Sequence, residues 1–135
     1  MADSTLVALK GIIARLRGYS ALTSLVTSTK IVSSVLQQQT FPYVLVEVES
    51  RDWSQDDDAN MQHTIRVHAF SDEISPATSM QIIQEVYNAL NRQETNISVD
   101  SGSVVLCFFS GLKDTFKEPD GSIWHSVIEF TLIID

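Results

Sequence analysis

The run from Ser122 to Asp135 constrains this chain more than any other stretch. Trp124, Ser126, Ile128, Phe130, Leu132 and Ile134 fall on one side of a period-two alternation. Ile123, His125, Val127, Glu129, Thr131 and Ile133 fall on the other. An extended strand sorts side chains this way. Both sides are largely apolar, so the strand belongs inside a sheet. Before it stands Glu118-Pro119-Asp120-Gly121, a turn in which proline fixes φ and glycine takes positive φ. Before the turn, Val104-Val105-Leu106-Cys107-Phe108-Phe109 reads as a nearly continuous apolar strand that runs on less regularly to Phe116. The two strands predict a long antiparallel hairpin.

A second hairpin is predicted earlier in the chain. Phe41-Pro42-Tyr43 opens a strand through Glu49, with Val44, Val46 and Val48 on one face and Leu45, Glu47 and Glu49 on the other. Proline is tolerated at a strand's first position. A polar stretch over 52–60 follows, and then His63 to Phe70, with Ile65, Val67 and Ala69 opposite Arg66 and His68. Three helical segments complete the plan. Leu6, Leu9, Ile13 and Leu16 predict a helix over Ser4–Arg17 that buries this stripe and ends at a left-handed Gly18. A short helical turn follows around Leu22, Leu25 and Val26. Ser75-Pro76 opens the strongest helix, whose Met80, Ile83, Tyr87 and Leu90 repeat at helical spacing, flanked by Ile82, Val86 and Ala89. Ile31 to Thr40 reads as a connector. The expectation is therefore a single α+β domain over 1–135, in the order α-α-β-β-α-β-β. Its two antiparallel hairpins form one sheet with helices packed on one face.

Composition narrows the function classes. An apolar share of 44% in 135 residues is enough for a core. A formal charge of −8 lacks the clustered cations that hold nucleic acid by its phosphates. The single cysteine, Cys107, excludes a disulfide within the chain. Apolar runs of about six residues fall far short of a membrane-spanning helix. The N-terminus lacks the pattern of a secretory signal. The expected class is a soluble intracellular or particle-borne protein.

The candidate chemistry is sparse. Cys107 as a nucleophile with His63, His68 or His125 as base needs an electropositive, partly exposed setting, yet Cys107 stands between Leu106 and Phe108. The three histidines lack the paired spacing of zinc ligands. Asp56, Asp58 and Asn60 are spaced like the start of an EF-hand loop, but Met61 and Val67 stand where that loop needs glycine and glutamate. No catalytic, metal or cofactor site is expected. Interaction surfaces are better supported. Trp53 at a polar hairpin tip is an anchor type, and Asp56, Asp57 and Asp58 make an acidic contact beside it. Trp124 alternates with core residues and is expected in the core. A sheet covered on one face leaves Ile123, Val127, Ile133 and Leu45 uncovered, which points to an oligomer.

The order of these elements resembles the tail terminator or tail-completion family of long-tailed bacteriophages and phage-like gene transfer agents. Phe41-Pro42-Tyr43-Val44, the run Ile65-Arg66-Val67-His68-Ala69-Phe70 and the Val86-Tyr87-Asn88-Ala89-Leu90 helix end carry the resemblance, which extends from Leu6 to Ile134. It implies a structural virion protein and no enzyme. Such proteins form a ring, commonly a hexamer, on the end of a finished tail tube. The ring stops tube polymerisation, joins the tail to head-completion (neck) proteins and leaves a lumen for DNA. It further implies a place at the head-proximal end of the tail after assembly in the bacterial cytoplasm. The negative net charge suits a channel that must not grip DNA. On that reading Trp53, Asp56, Asp57, Asp58, Ile123 and Val127 are the partner or oligomer contacts. The alternative is a dimeric small-ligand-binding or regulatory α+β domain, which requires polar groups converging on a pocket.

Overall fold

The computed structural model describes residues 5–34, 39–51, 61–119 and 121–135. The chain runs through α1 (Thr5–Arg17), α2 (Ser20–Thr23), β1 (Ile31–Val32), β2 (Tyr43–Arg51), β3 (Met61–Ser71), α3 (Ala77–Leu90), β4 (Val104–Lys117) and β5 (Trp124–Ile134). Short 3₁₀ turns at Ser28–Lys30 and Glu94–Asn96 complete it.

The strands form one five-stranded mixed sheet in the order β1-β2-β3-β5-β4. This corrects the expectation of a sheet built from two antiparallel hairpins alone. Ile31 and Val32, read as part of a connector, pair in parallel with Val44 and Leu45. Two residues are too few to show an alternation. Their position is set from outside the strand, where the Arg17 guanidinium donates through Nε and Nη2 to the Ile31 carbonyl at 3.1 and 2.8 Å. β2 pairs antiparallel with β3, and β4 with β5, while β3 and β5 lie side by side in register from Met61↔Ile134 to Ser71↔Trp124. β4 is bulged twice, between Val104 and Leu106 and between Phe109 and Lys113. At the turn before β5, the Gly121 N–H donates to the Glu118 carbonyl at 2.8 Å, and Gly121 has φ 80°.

Helices cover one face of this sheet. Val44, Val46, Ile65, Val67, Ala69, Ile128, Phe130 and Leu132 point into a core shared with Ile12, Leu16, Leu22, Ile82, Ile83, Val86 and Leu90. The Ser75 hydroxyl accepts the Ala77 N–H at 3.1 Å and opens α3. Met80, expected in its buried stripe, is 51% exposed, and Ser79 is buried in its stead. That burial is satisfied by a chain of hydroxyls. Ser79 donates to the Pro76 carbonyl, so Ser126 must donate to Ser79, and Thr115 to Ser126.

α1 buries a different stripe from the one its large residues suggest. Ala8, Gly11, Ile12 and Leu16 face the core, while Leu6 is 57% exposed and Leu9 and Ile13 are half-buried. Contact distance explains the rotation. A Cβ at Gly11 would stand 2.8 Å from Val99 Cγ1 and 2.9 Å from the Ser98 carbonyl oxygen. The small side of the helix is thus the one that can approach the 97–99 segment. The helix ends at Arg17 without a left-handed Gly18. Its last amides instead donate back, Gly18 N–H to Ala14 and Tyr19 N–H to Leu16.

Candidate functional site

The face of the sheet that is helix-free among the described residues gathers the side chains that the core leaves over. Along β2 it carries Tyr43, Leu45, Glu47 and Glu49. Along β3 it carries Thr64, Arg66, His68 and Phe70, and along β5 His125, Val127, Glu129, Thr131 and Ile133. Leu106, Phe108, Asp114 and Phe116 of β4 extend the same rows. Alternation puts each of these opposite a core residue, and strand register decides which meet.

Three rows result. In the first, Arg66 donates through Nε to Glu129 at 3.0 Å and lies 3.5 Å from Glu49. Next to it, Val127 stands between His68 and Asp114 in register. Leu45, in the same row beyond His68, and Ile133, near the far end of β5, are likewise half-buried. The third row is aromatic. Phe41, Tyr43, Phe70, His125 and Phe116 lie ring against ring, with centroids 4.3–5.4 Å apart. Burial raises the Tyr43 phenol above its usual pKa, and the Glu118 carboxylate adds to it. His68 bonds His125 at 2.7 Å across the face, with Glu47 and Glu118 at the two ends.

Ile123 lies just before β5, where its carbonyl accepts the Glu118 N–H at 2.8 Å, and it is half-buried. Val127 sits in the middle of the uncovered face. The structure does not bring these two into one row. Trp53, Asp56, Asp57 and Asp58 lie outside the described residues. Trp124, expected in the core, is half-buried at its rim. Its Nε1 donates to the Ile74 carbonyl at 3.1 Å, and Lys117 stands over its ring. A polar indole N–H needs a partner, and the loop before α3 supplies it.

A second uncovered surface lies on α1. Leu6, Leu9, Ile13 and Val32 line an open, mainly apolar groove that Lys10 and Arg17 border. Of the four apolar residues at helical spacing on α1, Leu16 is fully buried, Leu9 and Ile13 pack against the edge of the core, and Leu6 turns outward.

The geometry runs against nucleophilic chemistry at Cys107. Its side chain is fully buried, and burial pushes the thiol up to about 12, with Glu94 adding to the rise and Arg92 opposing it. His63 and Cys107 flank Leu132 on the core face. They are therefore two strand spacings apart, about 10 Å. Among the described residues no three His, Cys, Asp or Glu side chains converge to hold a metal ion. The linked histidines were missed in the sequence. Alternation put His68 on the polar side of β3 and His125 on the second side of β5, but only the pairing of β3 with β5 makes them neighbours.

Comparison with known proteins agrees with this architecture. A solved chain from the virion of a native gene transfer agent particle superposes with a TM-score of 0.85 over 98% of both chains, at 17% identity. That likeness shows a shared fold. A search of curated proteins gives no match. The family model for tail completion protein gp17 matches residues 10–135. On that match, which spans α1 from Lys10 through the whole sheet, the chain belongs to the tail completion protein gp17 family.

Proposed function

We propose that this chain is a ring-forming tail terminator. Family membership gives it a structural tail-completion role in a virion or gene transfer agent particle. In the finer reading, copies assemble as a hexameric ring on the end of the tail tube and stop its polymerisation. The ring then presents a surface to the neck proteins at the head-proximal end and leaves a lumen through which DNA passes without specific binding. The observation that carries this reading is the one-sided cover of the sheet. Val127, Leu45 and Ile133 stay half-buried on a face that no helix among the described residues reaches.

A ring needs heterologous contacts, one patch meeting a different patch on the next copy. The chain offers two that are complementary in charge. The sheet face carries Glu47, Glu49 and Glu129 around Arg66, with Asp114 beside Val127, and the α1 groove is bordered by Lys10 and Arg17. Val127 and Ile123 belong to the first surface, and Trp53 with Asp56, Asp57 and Asp58 would reach the neighbour, the tube or the neck. Assembly in the bacterial cytoplasm and a single domain over 1–135 complete the proposal.

Light scattering after size exclusion, with negative-stain images of the peak, tests it. A ring near six copies is expected, either alone or after purified tube protein is added as a template. A clean dimer, or a monomer that persists with tube protein present, overturns the ring and favours the ligand-binding alternative.

A further inference from the structure

The four side chains that cross the helix-free face form an unbroken line. Glu47 Oε1 is 2.5 Å from His68 Nε2, His68 Nδ1 is 2.7 Å from His125 Nε2, and His125 Nδ1 is 2.7 Å from Glu118 Oε1. Every ring nitrogen is engaged. The histidine side chains are only 15% and 13% exposed, so the central contact and the Glu118 end are shielded, while Glu47 at the other end is 55% exposed.

Counting protons decides what the line can be. An ionised carboxylate only accepts, so the outer contacts require protons on His68 Nε2 and His125 Nδ1. The central contact then joins His68 Nδ1 to His125 Nε2. Two neutral rings would face lone pair to lone pair there, and two imidazolium rings would face N–H to N–H. One proton alone makes that contact a hydrogen bond. Shifting protons along the line, even onto a carboxylate, leaves the total unchanged at three. We infer that the Glu47–His68–His125–Glu118 line is a binding site for one shared proton, which the folded chain keeps on both sides of neutrality. This inference does not rest on the ring reading.

The surroundings act in both directions. Burial holds His125 below the usual histidine pKa, the Glu118 hydrogen bond opposes this, and the charge of His68 adds to the lowering. Desolvation opposes any positive charge on the line, the Glu118 and Glu47 carboxylates favour one, and the charge of His68 opposes a second. Glu47 is the β2 carboxylate on the line, and the Tyr43 phenol of β2 lies in the neighbouring aromatic row. Arg66 of β3 and Glu129 of β5 pair with each other. On β4, Asp114 lies one register pair away at Val127. Lys113 and Lys117 are turned to the other face, against Gln84 and Trp124. Phe70 and Phe116 flank the His125 ring.

The consequence is a stability maximum near the ordinary histidine pKa of about 6.5. Above it the unfolded chain carries neutral histidines and holds one proton fewer than the folded line, so stability falls as pH rises. Below it both unfolded histidines are charged and the unfolded chain holds one proton more, so stability falls as pH falls. Each limb approaches about a tenfold change in the folding constant per pH unit.

Glu118→Gln separates this from a merely structural role. The substituted amide can donate to His125 Nδ1, which lets His125 Nε2–H donate to His68 Nδ1 and His68 Nε2–H to Glu47. The line is then complete with two neutral rings. Urea unfolding of the full chain between pH 5 and 8.5 should show both limbs in the wild type and loss of the alkaline limb in Glu118→Gln. Imidazole ¹⁵N spectra of the wild type at pH 7.5 should show three of the four ring nitrogens protonated, and those of the variant two. Wild-type rings that are both neutral at pH 7.5, or equal alkaline slopes in the two proteins, overturn the inference. If Glu118→Gln does not fold, the wild-type spectra decide alone.

Discussion

The two faces of the sheet are made from the same strands, and they solve opposite problems. On the helix side, Ile128, Phe130 and Leu132 are wholly buried in a mainly apolar core, with His63 and Cys107 in register on either side of Leu132. On the other side, the intervening Val127, Glu129 and Thr131 stay partly open and alternate apolar, charged and hydroxyl groups. The helix side gains its stability by excluding water. The free side is held by register: Arg66 between two glutamates, and the histidine line from β2 to the turn before β5. A substitution on the first face should therefore be read in folding, and one on the second in pH response or assembly.

The sharpest contrast is expected at Phe130. Its ring fills the centre of the core and meets Phe109 edge-on at 6.3 Å. Phe130→Ala leaves a cavity that the surrounding strands cannot close, and about 3–5 kcal/mol of unfolding free energy should be lost. Urea or thermal unfolding measures it. A loss below about 1 kcal/mol would mean that this face is not the tightly packed core described here.

Gly11 comes next. Replacing it with valine puts a branched side chain where even a Cβ meets the Ser98 carbonyl oxygen at 2.9 Å. The neighbour is backbone, so α1 has to move outward, and overpacking of this kind costs about 1–3 kcal/mol. Alanine at the same position should cost less than valine. If both variants unfold like the wild type, α1 does not pack as closely as the structure places it.

These two sites also show what was legible beforehand. Phe130 could be placed because period-two alternation is a local signal, sustained through the whole of β5. The inward side of α1 could not, because leucine and isoleucine at helical spacing outweigh a glycine whose value lies in a contact made by residues 97–99. β1 escaped for a related reason: two residues carry no period, and an arginine from α1 sets their place. The free face was legible as an uncovered surface with Val127 on it. Its internal order was not, since the His68–His125 contact depends on β3 and β5 being neighbours, a matter of topology that no window along the chain contains. The family resemblance rests on the order of elements, and the family match over residues 10–135 bears out the family, while β1 adds a parallel strand to the expected order.

The smallest change in folding, and the most informative about function, is expected at Val127. Valine and threonine have the same branched shape and both suit strands. Val127→Thr turns a methyl into a hydroxyl on a face open to water, so the unfolding free energy should stay within about 0.5 kcal/mol of the wild type. A neighbouring copy docked on that face would strip the hydroxyl of water and leave it short of a partner, at about 1–3 kcal/mol per contact. In a closed ring the same contact recurs at every junction, so a small cost per copy multiplies. Ring formation on the tube end should therefore fail or need much higher protein concentration while the monomer folds normally. Light scattering of wild type and variant at matched concentrations reads this directly. Equal ring yield from both would move the subunit contact off the centre of this face. It would turn attention to Ile123 and to Trp53, and the contrast between the two faces would then be one of packing alone.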